Sequence, residues 1–138
     1  MAHDAMTLAQ LARAAGEPVH VVRYYVRIGL VEERVREANG YRRFDRGALK
    51  RLEFIRRSQR LGFSLDEIGQ FIADAHRGRT PCPRVRALLE TRLPAVTREH
   101  GDATALLVRM QEAQRRWRRL RDRAPSGSEI CRLIESTP

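Results

Sequence analysis

His20, Arg23, Tyr24 and Arg27 stand three or four residues apart, so a helix through them gathers an imidazole, two guanidiniums and a phenol on one side. Guanidinium forks suit phosphate oxygens and guanine edges. Phenol hydroxyls donate to phosphates, and their rings brace the sugar backbone. Tyr25 adds a second phenol beside the first, and a second set follows in Tyr41, Arg42 and Arg43, directly after Asn39-Gly40. Asn-Gly is the strongest short hairpin signal, because a type I′ turn needs positive φ twice. The stretch from 19 to 44 therefore reads as a recognition helix followed by a two-stranded ribbon tipped with cations, the layout of a winged DNA reader. Val19, Val22 and Ile28 are the residues expected to pack that helix inward.

Two thiols form the other chemically distinctive set. Cys82 and Cys131 are the chain's two cysteines, with 48 residues between them. They are candidate metal ligands or plain core residues rather than a disulfide, because a chain with no signal-peptide core is expected in the cytoplasm, where thiols stay reduced. No run reaches the roughly 18 apolar residues that a membrane span needs.

The elements that must position these groups are well punctuated. Thr7 caps a first helix, LAQLARAA, whose Leu8, Leu11, Ala12 and Ala15 share a face and which Gly16 ends. Pro18 suits the first turn of the second helix, and Gly29 follows its end. The ribbon of about residues 31 to 44 comes next. Asp45 then caps a third helix with Leu49, Leu52, Ile55 and Phe54 inward and Arg51, Arg56, Arg57 and Arg60 outward, closed by Gly62. Ser64-Leu-Asp-Glu67 is a capping box opening a fourth helix with Leu65, Ile68, Phe71 and Ile72 on one side. HRGRTPCP, residues 76 to 83, reads as a connection.

From Val85 onward an apolar stripe recurs every three or four residues: Val85, Leu89, Leu93, Val96, Ala103, Leu107, Met110, Trp117 and Leu120, with His100 and Gln114 in the same register. One helix cannot bury such a stripe alone. A second copy, packed antiparallel as a coiled coil, is the expected solution. Pro94 and Gly101 interrupt the pattern, which predicts a kink or a late start near residue 94 and a rod of roughly 45 Å beyond it. His100 and Gln114 are expected to set register. Trp117 and Met110 are expected as core, with a drug pocket as the alternative. The six arginines between Arg115 and Arg123 are expected as a solvated face, with nucleic acid or polymerase contact as the alternative.

The chain has 138 residues and a formal charge of +10, carried by 26 arginines and one lysine, Lys50. Such an excess favours a polyanionic partner, since each neutralised phosphate releases counterions. Enzyme classes find no support: there is no Gly-rich phosphate loop, no HExxH or CxxC, and no Ser, His and carboxylate set to single out.

Taken together, Arg23-Tyr24-Tyr25 followed by Gly29-Leu30, the stretch Asn39-Gly-Tyr-Arg-Arg-Phe44, and Gln59-Arg-Leu-Gly-Phe-Ser-Leu-Asp-Glu-Ile68 resemble the MerR family of transcription regulators, over nearly the whole chain. The resemblance implies a mainly α protein. Residues 1–76 would form a winged helix-turn-helix domain with a β-hairpin wing, 77–84 a linker, 85–123 an antiparallel coiled-coil dimerisation helix, and 124–138 an effector loop with a short helix. It implies a homodimer on a palindrome in a promoter spacer, distorting the duplex on induction so that RNA polymerase opens it. Carried over by position, Arg23 and Tyr25 would come from the recognition helix and Tyr41 and Arg42 from the wing, with His20 and Arg43 as additions.

In the family's heavy-metal branch, which answers to mercury, cadmium, lead, zinc or copper, one cysteine opens the dimerisation helix and two lie in the loop beyond it. Cys82 matches the first of these and Cys131-Arg-Leu-Ile-Glu135 the last. The middle one is missing, its place taken by Asp122, Arg123 and Ala124. A two-thiolate site between Cys82 of one protomer and Cys131 of the other is what the resemblance leaves. Asp122, His76 or water would complete any tetrahedral ion. An organic or oxidative signal, and an effector-free architectural DNA binder, are the alternatives.

Overall fold

The computed structural model describes residues 5–36 and 42–138, and they are mainly helical. They form two compact units, Met1–Val85 and Arg86–Pro138.

The first unit is built from well-capped helices. Helix α1 (Leu8–Ala15) opens with the Thr7–Gln10 capping box and closes on Gly16 at φ 68°, a left-handed position that glycine takes without strain. Helix α2 spans Val19–Arg27, and Pro18 is its N-cap rather than part of its first turn. Strands β1 (Val35–Arg36) and β2 (Arg42–Arg43) pair antiparallel with Val35 opposite Arg43. The Asn39-Gly40 turn expected between them lies outside the described residues. Beyond β2, Phe44 exchanges backbone hydrogen bonds with Met6 at 2.7 and 2.8 Å, an isolated bridge that ties the chain just ahead of α1 to the end of the ribbon.

Asp45 accepts from the N–H of Ala48 to start α3 (Arg46–Arg60), and the Ser64–Glu67 capping box starts α4 (Leu65–His76). Helix α1 packs on α2 and α3, and α3 on α4. Leu11, Val22, Phe44, Leu52, Ile55, Ile68 and Phe71 meet in the core, where Phe63 stacks edge-on against Phe71. Phe54, expected inward, is exposed: Leu52 and Ile55 already define the buried stripe of α3, and position 54 falls off it.

Helix α5 is a single run, Cys82–Trp117, with Pro94 inside it. The late start expected at Pro94 does not occur. Proline there removes one hydrogen bond, to Glu90, while the hydroxyls of Thr91 and Thr97 donate to the carbonyls of Ala87 and Leu93 at 2.8 Å on either side. The helix also stops at Trp117 instead of reaching residue 123, tightening through the N–H of Leu120 onto the Trp117 carbonyl. Arg115 and Arg116 are therefore helical, and the arginines from 118 to 123 lie on the connection that follows. No residue of α5 is buried within the chain, and Leu93, Leu107 and Met110 are each more than half exposed. A four-residue helix, α6 (Arg132–Glu135), ends the second unit.

Candidate nucleic-acid interface and effector residues

Helix α2 sorts its side chains cleanly. Val22 and Tyr25 are buried, while His20, Arg23, Tyr24 and Arg27 are exposed on the other side. Val19 and Ile28, expected inward, are 38% and 42% exposed, because Val22 and Tyr25 one turn apart occupy the core edge and the helix ends lie beyond it. The Arg27 guanidinium sits 5.2 Å from the centre of the Tyr24 ring, a cation–π contact that braces both outward side chains. Arg23 and Arg27 line one groove of about 700 Å³ with Val26, Gly29 and Val31, shared with the carboxylate residues Glu32 and Glu33.

Tyr25 does not join that face. It is 7% exposed and its hydroxyl reaches toward Gln59 Oε1 of α3 at 3.5 Å, the long limit of a hydrogen bond. Its ring is a core element, leaving the hydroxyl as its one polar atom. Of the expected ribbon contacts, Arg43 is half-buried at the register position opposite Val35, Arg42 lends its backbone to β2, and Tyr41 lies outside the described residues.

Helix α2 is tied to its supports by two arginines, Arg51 and Arg56, that periodicity places on the outward side of α3 and that are half-buried. Arg56 donates from Nε and Nη2 to Glu17 Oε1 at 3.0 and 2.8 Å, and from Nη2 to the Gly16 carbonyl at 3.0 Å. Arg51 donates to the Leu30 carbonyl at 3.2 Å, and its second nitrogen lies 3.2 Å from His76 Nε2. Gly29, at φ 81°, turns the chain off α2, and the N–H groups of Leu30 and Val31 both reach the Tyr25 carbonyl. Helix α2 is thus fastened to α3 through the residues that flank both of its ends. Periodicity names the faces, but the partners of a long side chain are set by tertiary placement.

The thiols occupy two different settings. Cys82 is exposed as the first residue of α5, its N–H donating to Thr80 Oγ1 at 3.3 Å. Cys131 is half-buried as the N-cap of α6, where Glu135 Oε2 accepts from the backbone N–H of Ile130 and of Cys131 at 3.0 and 2.9 Å. Both are free thiols. Soft sulfur donors suit a thiophilic ion, and two suffice where two-fold coordination is preferred. A tetrahedral ion needs more ligands, and among the described residues no group of three His, Cys, Asp or Glu is gathered. His76 stands against Arg51, and Asp122 is exposed.

The loop before Cys131 is clamped by Arg123, which donates to both oxygens of Glu129 at 2.7 and 2.8 Å. That hydrogen bonding, with the carboxylate's charge, raises the guanidinium's pKa above its ordinary value. Trp117, the chain's one tryptophan, donates its indole N–H to the Leu133 carbonyl at 2.8 Å, and Arg116 donates to the Ser136 carbonyl. A lone half-buried tryptophan needs a partner for its N–H. That need is visible in sequence, but the partner is not.

The described residues include no helix long and apolar enough to cross a membrane. Residues 6–75 match the family described as MerR HTH family regulatory protein, and residues 49–113 match the family described as MerR, DNA binding. The chain is 34% identical over 131 residues to the mercuric resistance operon regulatory protein of Shigella flexneri, covering 95% of this chain and 86% of that one. Among solved structures it is similar to the transcription regulator PbrR691 from Ralstonia metallidurans CH34 in complex with lead(II), at 28% identity and a TM-score of 0.69, over 95% of this chain and 98% of that one. It also shares a fold with HiNmlR, a MerR family regulator lacking the sensor domain and bound to promoter DNA. There the TM-score is 0.57 at 23% identity, over 80% and 83% of the two chains.

Proposed function

Since this chain belongs to the MerR family of helix-turn-helix regulators, we propose that it acts as a homodimer in the cytoplasm, distorting a promoter spacer in response to a thiophilic metal ion so that RNA polymerase can open it. One observation carries the DNA side of this reading. His20, Arg23, Tyr24 and Arg27 are exposed on one face of α2, the second helix of a helix-turn-helix pair, while the opposite face is locked into the core. In this reading the paired strands β1 and β2 belong to a wing whose contacts to the flanking backbone are Tyr41, Arg42 and Arg43. Phosphate contacts of this kind position a protein, and the bend they stabilise supplies sequence preference through the deformability of the duplex.

Exposed Leu93, Leu107 and Met110 support an antiparallel partner along α5. The names of the mercury and lead regulators it resembles support a heavy metal as the signal. In this reading Cys82 of one protomer and Cys131 of the other supply two thiolates, and the bound ion links two chains. Such a link biases the relation between the DNA readers, which is what an effector must do.

The test uses reduced full-length protein on its own promoter region. Footprinting and open-complex formation are followed with and without mercury(II), for wild type and for Cys82→Ser and Cys131→Ser. The reading expects a protected palindrome in every case and metal-dependent opening in wild type alone. Diffuse protection without a defined operator would point to an architectural binder instead.

A further inference from the structure

The second unit carries an open groove that the metal reading does not use. It holds about 510 Å³ and is lined by Met110, Ala113 and Trp117 of α5 with Ile134 and Pro138 beyond them, flanked by Arg109 and Arg116. That volume lies within the roughly 300–1,000 Å³ of small-molecule sites, which are typically apolar with a few fixed polar groups.

Its walls are held in place by the chain itself. Trp117 spends its indole N–H on the Leu133 carbonyl, so the polar atom is satisfied and the ring is free for apolar contact. Arg116 holds the Ser136 carbonyl, and the hydroxyls of Ser136 and Thr137 close back on the carbonyls of Leu133 and Ile134 at 2.6 and 2.5 Å. Ile134 is nevertheless 63% exposed, a large apolar side chain off α5 that is left to water.

The groove is distinct from the seam expected to meet a second copy. At 3.6 residues per turn, Arg109, Glu112, Ala113 and Arg116 fall roughly 100–180° round α5 from Leu107 and Gln114, centred near a half-turn away. The two faces share only the edge residues Met110 and Trp117. A partner helix seated on the seam would meet the groove only at that edge and leave the side lined by Arg109, Ala113, Arg116 and Ile134 open.

Charge selects the occupant. Arg109 and Arg116 stand on the rim with the side-chain carboxylate of Glu112, and with Arg116 committed to Ser136, Arg109 is the cation left to meet a ligand. We propose that this groove binds a small organic anion, an aromatic or aliphatic body with one carboxylate or sulfonate that lies against Trp117 and meets Arg109. It would be a second effector site, independent of both thiols.

Anilinonaphthalene sulfonate and its uncharged analogue N-phenylnaphthylamine are the probes, titrated into reduced full-length protein. Saturable binding of the sulfonate at one per chain, with quenching of Trp117, is expected. Arg109→Ala is expected to weaken the sulfonate about tenfold, the loss of one charge-assisted contact, and to leave the neutral probe unchanged. Ala113→Trp should fill the groove and remove both probes, while circular dichroism and sedimentation stay as in wild type. Cys82→Ser with Cys131→Ser should bind both probes as wild type does. Equal affinity for the two probes with no effect of Arg109→Ala would overturn the proposal. So would binding that emerges only on dilution below dimer dissociation, since the groove would then belong to the second copy.

Discussion

Arg56 on α3 holds Glu17 in the turn between α1 and α2 with two donors on one carboxylate oxygen, at 3.0 and 2.8 Å. The same guanidinium caps the carbonyl of Gly16, the residue that ends α1. One side chain thereby fixes the angle at which α2 presents its cations. Its own side chain is 40% exposed, so water screens the pair. Arg56→Ala should cost about 1 kcal/mol of stability in urea melts and weaken operator binding, although Arg56 need not touch DNA. Arg56→Lys keeps the charge and loses the fork, and should recover less than half of both losses. Melting and binding unchanged in Arg56→Ala would show that the turn is held by packing alone.

The buried and exposed tyrosines make opposite predictions. Tyr25→Ala removes a core ring and should destabilise the first unit by about 3–5 kcal/mol, the range for large aromatic truncations. Tyr25→Phe should be nearly silent in stability, because the Gln59 contact is long. Tyr24→Ala leaves the core intact and removes the ring on which Arg27 rests, so it should spare melting and lower DNA affinity. If both alanine variants unfold alike, the two-faced reading of α2 is wrong.

Arg23 faces away from the core, so its loss should appear as electrostatics. Arg23→Ala is expected to weaken binding to all duplexes and to reduce the slope of log affinity against log salt by about one, as one phosphate contact is lost. A loss confined to one operator position, with the slope intact, would make Arg23 a base reader instead.

Much of this was legible in the chain, for physical reasons that differ by region. Thr7, Asp45 and Ser64 announced their helices because a cap is a local bond between neighbours in sequence. Leu11, Leu52, Ile55, Ile68 and Phe71 announced the core because burial follows helical period. Val19, Ile28 and Phe54 misled because period marks a face but not how far the core extends along it. Pro94 misled in the other direction, since a long helix absorbs one missing bond. The struts from Arg56 and Arg51, the Trp117–Leu133 bond and the groove beside it depend on residues distant in sequence, which no spacing rule joins.

Dimer formation is expected to rest on the apolar stripe of α5. Leu107 is 54% exposed in the single chain, and Leu107→Asp would set a charge without a counterion against the partner's apolar side chains. Sedimentation should show a dimer in wild type and a monomer in the variant, with operator binding lost alongside. Arg109→Ala, on the neighbouring face, should stay dimeric. A wild-type monomer at micromolar concentration would remove the coiled-coil reading.

The metal proposal makes a prediction from what the chain lacks as much as from what it has. With two thiols and no third, Cys82 and Cys131 should bind a two-coordinate thiophilic ion such as mercury(II) with two sulfurs per site, and magnesium should not compete. Thiolates are the ligands, so binding should release protons and weaken as pH falls. The sign is clear: acid returns protons to the sulfurs and opposes the metal. Either Cys→Ser change should abolish metal-dependent promoter opening and leave operator protection unchanged, because neither thiol lies on α2 or the paired strands. Proton release measured alongside metal uptake separates ligation from adventitious surface binding. A double variant that still opens the promoter on its inducer would assign the thiols to packing and move the signal elsewhere, with the Trp117 groove the first place to look.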